Sequence, residues 1–130
     1  MKFIAFTHKG RTAYGAVTEN GVIDLSSRYA DLWPTLKHVV EDAALTRLTD
    51  LAATLSPDFA TTEITYQIPI PAPEKILCVG VNFPDRNAEY KDGQENPPFM
   101  SLFPRFARSF TGYNQPVIRP PESPQLDYEG

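Results

Sequence analysis

The uneven placement of proline constrains this chain more than any other feature. Residues 1–65 contain two prolines, Pro34 and Pro57, whereas residues 66–130 contain eleven. Proline fixes φ and removes a backbone donor, so it is kept out of helix interiors and central strands. The shift sets a boundary near Pro69-Ile-Pro-Ala-Pro73, a stretch that reads as an extended connector. The expected fold class is α+β. Residues 1–65 form a small N-terminal α+β domain, residues 66–74 a Pro-rich connector, and residues 75–130 a β-rich second part.

Within the first part, Lys2 to Thr7 reads as a strand, His8-Lys-Gly10 as a turn, and Thr12 to Thr18 as a second strand with Tyr14 and Val17 as packing residues. Asn20-Gly21 is a two-residue hairpin signal, since both residues tolerate φ > 0, and Val22 to Leu25 follows as a third strand. Pro34 suits a first helical position. Leu36, Val39 and Val40 share one helical face, and Ala43 to Leu55 repeats the pattern with Leu45, Leu48, Leu51 and Leu55. A three-stranded antiparallel sheet with one or two helices is predicted. His8 and His38 read as surface or edge histidines, and no chemistry is visible in this half.

Charge and cysteine content exclude several classes. Residues 1–70 and 71–130 each hold six basic and eight acidic residues, for a net charge of −4. A nucleic-acid or anionic-membrane partner would need a cationic face that this pattern lacks. The lone Cys78 cannot form an intrachain disulfide, and its neighbours Ile76, Leu77 and Val79 mark it as a buried core thiol. No apolar run approaches the ~18 residues of a membrane span. The N-terminus turns polar too quickly for a signal peptide, so the expected location is cytoplasmic.

In the second part, Lys75-Ile-Leu-Cys-Val-Gly80 reads as a buried strand, and Val81-Asn-Phe-Pro84 leaves it as a loop. Asp85 to Lys91 has the makings of a short helix. Seven prolines between Pro97 and Pro124 exclude long helices, leaving short strands such as Met100 to Phe103 and Pro116 to Arg119. Three segments carry more specific information. They are Pro73-Glu-Lys-Ile-Leu-Cys-Val-Gly-Val-Asn-Phe83, Pro98-Phe-Met-Ser-Leu-Phe-Pro-Arg-Phe-Ala-Arg-Ser-Phe-Thr-Gly112, and Leu126-Asp-Tyr-Glu-Gly130. In this order and spacing they resemble the fumarylacetoacetate hydrolase superfamily, with the likeness covering roughly residues 66–130.

The resemblance implies a β-rich catalytic domain that begins at residue 75 and is incomplete at Gly130, where the family's metal motif Asp-Tyr-Glu-x-Glu is interrupted. Family enzymes bind Mg²⁺, sometimes Mn²⁺ or Ca²⁺, through carboxylates, a donor set that hard cations select. Residues two apart on a strand point to one face, so two such Glu reach one ion. Glu129 matches the first, and further ligands are expected beyond residue 130. Read in isolation, Glu129 is a solvated residue, and only the resemblance makes it a ligand.

By the same resemblance the substrate is a small keto acid of the β-diketo or acylpyruvate type, and the complete protein is a homodimer acting in aromatic or amino-acid breakdown. Hydrolytic members use a His–Glu pair three residues apart to activate water. Here Glu89 matches that Glu, while Arg86 occupies the His position. Arginine is a poor base but binds carboxylates bidentately, which brings isomerisation or decarboxylation close behind C–C hydrolysis. Without the resemblance, Arg86 and Glu89 read as a surface ion pair. Arg105 falls where the family places a substrate-facing cation, flanked by Phe103 and Phe106, and Asn82 is expected to line the same cleft. The reading from another class is a catalytically incomplete fragment that folds, or docks a partner, without turnover.

Overall fold

The computed structural model describes residues 1–81 and 99–126. They form two compact units: residues 1–71 with the segment from 111 onward, and residues 72–110. The secondary structure is a mixed α+β arrangement.

The first unit is built on a four-stranded antiparallel sheet in the order β3-β2-β1-β4, with β1 Lys2–His8, β2 Arg11–Thr18, β3 Gly21–Asp24 and β4 Thr65–Gln67. The β1–β2 turn is Lys9-Gly10, with φ of 48° and 80°, the left-handed pair that matches strand twist in a tight hairpin. His8 is therefore the last residue of β1, stacked on Phe59 with ring centroids 3.9 Å apart. The second turn is Glu19-Asn20, one residue earlier than the expected Asn20-Gly21. Gly21 already pairs with Thr18, and its backbone lies so close to the Phe59 carbonyl that a Cβ would collide. Glycine is needed there for close approach and for its φ of 140°.

Alternation along the strands sorts side chains onto two faces. Tyr14, Ala16, Ile23 and Leu25 face the helices, where they pack with Trp33, Leu36, Val39 and Leu48. Phe6, Ala13 and Val22 face the opposite way, against Val17, Phe59 and Ile64. Three helices cover the first face: α1 Ser26–Tyr29, α2 Leu36–Glu41 and α3 Leu45–Ala53. Val39 and Leu48 are completely removed from water, each stabilising the unit by about 1.5–3 kcal/mol.

The helical stripes are narrower than the sequence spacing predicts. Val40 stays 47% exposed and Leu45 41%, while Leu48, Leu51 and Ala52 of α3 pack into the core. Pro34 lies ahead of the helix, since the extended Thr35 is the N-cap and Leu36 the first helical residue. Helix α1, absent from the sequence reading, is nucleated by Asp24, whose Oδ1 accepts from the Ser26 hydroxyl at 2.7 Å and the Ser27 N–H at 3.0 Å. Strand β4 was likewise not foreseen. Beyond it, Tyr113 sets its ring edge against Tyr66, with centroids 5.0 Å apart. Pro116 to Arg119, expected as a strand, has no regular structure.

The second unit is an antiparallel strand pair, β5 Leu77–Gly80 and β6 Ser101–Pro104. The expectation of a buried strand here is corrected, because Leu77 is 68% exposed and Val79 46%. A two-stranded sheet has no further layer of its own, and no described segment covers this face. Cys78 is likewise half-buried and not a core thiol. The helix expected over Asp85 to Lys91 lies outside the described residues.

Candidate functional site

The candidate site centres on β6 and the residues after it. Pairing places Ser101 opposite Gly80 and Phe103 opposite Cys78. The Arg105 N–H donates to the Ile76 carbonyl at 3.2 Å, carrying the ladder one step past the strand. Alternation then puts Ser101, Phe103 and Arg105 on one face of the hairpin with Cys78 and Gly80. Leu77, Val79, Leu102 and Pro104 share the other.

On the first face Arg105 is held against an aromatic ring. Its guanidinium carbon lies 5.0 Å from the centroid of Phe103, within cation–π range. Arg105 is exposed, so the stacking positions its charge without removing it from water. Phe103 in turn rests over Gly80, where a Cβ would stand 3.3 Å from the ring edge. The sequence reading missed this part played by Gly80. A glycine closing an apolar run is the signal for such a close approach. Phe106, expected to share an apolar wall with Phe103, is 83% exposed and lies beyond the end of β6.

Val81 has a φ of 53°, left-handed backbone that a β-branched residue seldom adopts, at a cost on the order of 1–2 kcal/mol. It ends β5 and turns the chain directly before Asn82.

Of the five residues singled out from sequence, the structure describes Arg105. Asn82, Arg86, Glu89 and Glu129 lie outside the described residues. Among the described residues no group of three or more His, Cys, Asp or Glu side chains is arranged to hold a metal ion. The described geometry therefore sets the Arg105 guanidinium against the Phe103 ring at the end of the hairpin. Among the described residues no helix is long and apolar enough to cross a membrane.

Residues 75–130 match the family described as fumarylacetoacetate (FAA) hydrolase C-terminal. The mitochondrial oxaloacetate tautomerase FAHD2A of Bos taurus is 32% identical over 111 residues, covering 84% of this chain and 35% of that protein. The corresponding Homo sapiens FAHD2A is 31% identical over the same length and the same shares. A mitochondrial oxaloacetate tautomerase of Xenopus laevis, fahd2, is 36% identical over 66 residues, 51% of this chain and 20% of that protein. The chain spans about a third of the length of the mammalian relatives, and the similarity extends from residues 75–130 into the first unit. This chain belongs to the fumarylacetoacetate hydrolase superfamily, and residues 75–130 carry the family match.

Proposed function

We propose that this chain is part of an enzyme acting on a small 2-oxo acid, with keto–enol tautomerisation, and not C–C hydrolysis, as its principal reaction. The observation that carries this reading is the similarity to proteins named oxaloacetate tautomerases over 84% of the chain. The sequence agrees with it, because Arg86 stands where a hydrolytic His would be, and a guanidinium cannot accept a proton from water. Residues 75–130 are proposed as the beginning of a catalytic domain.

In this reading Arg105, steadied on Phe103, binds a substrate carboxylate. Arg86 binds or orients a second anionic group, with Asn82 lining the cleft. Glu89 takes the proton from the carbon beside the ketone and returns it to the ketone oxygen, ending as the carboxylate it began as. Atoms balance without water, since one C–H bond is exchanged for one O–H bond. A divalent cation, Mg²⁺ with Mn²⁺ or Ca²⁺ as substitutes, is proposed to be held by Glu129 and by carboxylates outside these 130 residues. When bound it would supply Lewis-acid polarisation of the ketone. A homodimer and a cytoplasmic location belong to the same proposal, while the relatives' names give those proteins as mitochondrial.

The name of the matched family favours C–C hydrolysis of an acylpyruvate-type acid as the second reading. The test is to give the complete gene product, with Mg²⁺, the enol form of oxaloacetate and, separately, an acylpyruvate. The expected result is faster loss of enol absorbance and no cleavage products. Cleavage of the acylpyruvate with no acceleration of tautomerisation overturns the proposal. Arg86→His should introduce or increase hydrolysis.

A further inference from the structure

The first unit contains a cavity of about 370 Å³ on the helix-facing side of its sheet, beside the start of the Pro-rich stretch. Its walls are mostly apolar, with Ala5 and Tyr14 from the sheet, Ala30 and Leu36 from the helical segment, and Ile68 and Pro69 closing it. Ligand cavities run to roughly 300–1,000 Å³, and a dry hole of about 150 Å³ accepts benzene. The volume here therefore fits one ring together with a polar substituent.

The polar end of the cavity decides the class of ligand. Arg11 is the one charged residue among those lining it, and no Asp or Glu does so. The counter-charge, Asp24, lies behind the wall at 2% exposure, with its carboxylate already bonded to Arg11, the Ser26 hydroxyl and the Ser27 N–H. Arg11 is thus anchored at one edge while its side chain remains 50% exposed. A guanidinium carries five N–H donors, and the bonds to Asp24 and to Ser26 use two of them. The remaining edge of the fork, next to an apolar pocket, matches a carboxylate with an apolar body.

We propose that this cavity is a binding site for a small aromatic or branched-chain carboxylate, held by Arg11 at one end and by the Ala, Leu and Ile walls around its body. The site is separate from the reading of residues 75–130 and stands whether or not that reading holds.

The structure supplies a reporter. The chain has a single tryptophan, Trp33, which is 2% exposed, and its carbonyl accepts from the hydroxyl of the cavity residue Tyr14 at 2.7 Å. The 130-residue chain is titrated with benzoate while Trp33 emission is followed, with calorimetry in parallel. The expected result is a saturable change with a dissociation constant of roughly 1 mM, typical of a ligand of about nine heavy atoms. Benzyl alcohol, of similar shape but uncharged, should bind at least about tenfold more weakly, and Arg11→Lys should weaken benzoate by about tenfold because a point charge lacks the planar fork. Ala30→Phe, at an exposed rim position, should abolish binding with unchanged circular dichroism. If that variant loses its native spectrum, Thr12→Phe at another exposed rim position carries the same expectation. Absence of saturable binding, equal binding of benzyl alcohol, or undiminished binding by the rim variant overturns the proposal.

Discussion

Arg28 grips Asp58 with both ends of its guanidinium, through Nη1 to Oδ2 at 2.8 Å and Nη2 to Oδ1 at 2.7 Å. The same Oδ2 accepts the Asp24 N–H at 2.8 Å, so one carboxylate ties α1 and β3 to the segment after α3. The bond from Arg28, more than any other interaction, holds the Asp58 carboxyl below its ordinary 3.8. Because the folded value is depressed, the stabilisation is present above pH ~4 and is lost as pH falls through the folded value. Asp58→Ala should cost about 1–2 kcal/mol at neutral pH. It should also flatten the acid limb of a stability-versus-pH curve measured by urea unfolding.

Tyr14 titrates at the other end of the scale. Burial, and secondarily the Asp24 charge, push its hydroxyl from 10.0 up to about 12. A raised folded value means its contribution is complete below pH 10 and disappears as pH rises toward 12. Phenolate absorbance should therefore show one tyrosine titrating late, in step with loss of structure. Tyr14→Phe should remove that late component. It should also destabilise the fold by about 1–2 kcal/mol, because the buried Trp33 carbonyl loses its donor.

Gly15 sits in β2 against β3, and a Cβ there would collide with the carbonyl of Ile23 while standing 3.1 Å from the Phe6 ring. The obstacle is backbone, which cannot swing aside as a long side chain can. Gly15→Ala should cost at least about 3 kcal/mol, at the extreme of single substitutions. Thermal unfolding followed by circular dichroism checks this, with Gly10→Ala as a comparison. At Gly10 there is open space and only the positive φ resists substitution, so the loss should be nearer 1 kcal/mol.

At the candidate site, Arg105→Gln in the complete enzyme should lower kcat/KM by about 10- to 100-fold if its charge meets a substrate carboxylate, the fold-change that about 1.4–2.7 kcal/mol produces. Phe103→Leu keeps apolar packing over Gly80 but removes the ring under the guanidinium. It should raise KM by about two- to fivefold with kcat little changed, in line with an exposed cation–π contact of ~0.5–1 kcal/mol. Steady-state kinetics on the two variants separate direct binding from positioning.

Much of the first unit is legible because its information is local. Strands β1 to β3 follow from alternation, and Lys9-Gly10 and Asn20-Gly21 mark the hairpins to within a residue. Strand β4 has only three residues, and nothing in Thr65-Tyr-Gln67 marks a strand until β1 is there to pair with it. Helix α1 depends on one buried carboxylate, Asp24, accepting from Ser26 and Ser27. Lys75 to Gly80 reads as a buried strand, yet Leu77 and Val79 are open, since composition records apolarity and not what covers it. At the site, Arg105 is singled out by family likeness alone. Its support by Phe103 and the room made by Gly80 required the register of the hairpin.

The pairing of β1 with β4 also has a consequence in time. Phe6 is matched to Tyr66 about 60 residues later. While the chain is being synthesised, the first three strands can hydrogen-bond to one another as soon as they emerge. Strand β1 must then wait with one row of amides unanswered. From the end of β3 at Asp24 to the start of β4 at Thr65, synthesis at about 5–20 residues per second makes this delay roughly 2–8 seconds. During that interval the nascent protein presents an open sheet edge ending in Thr7 and His8, the point at which a neighbouring nascent chain can add a strand of its own.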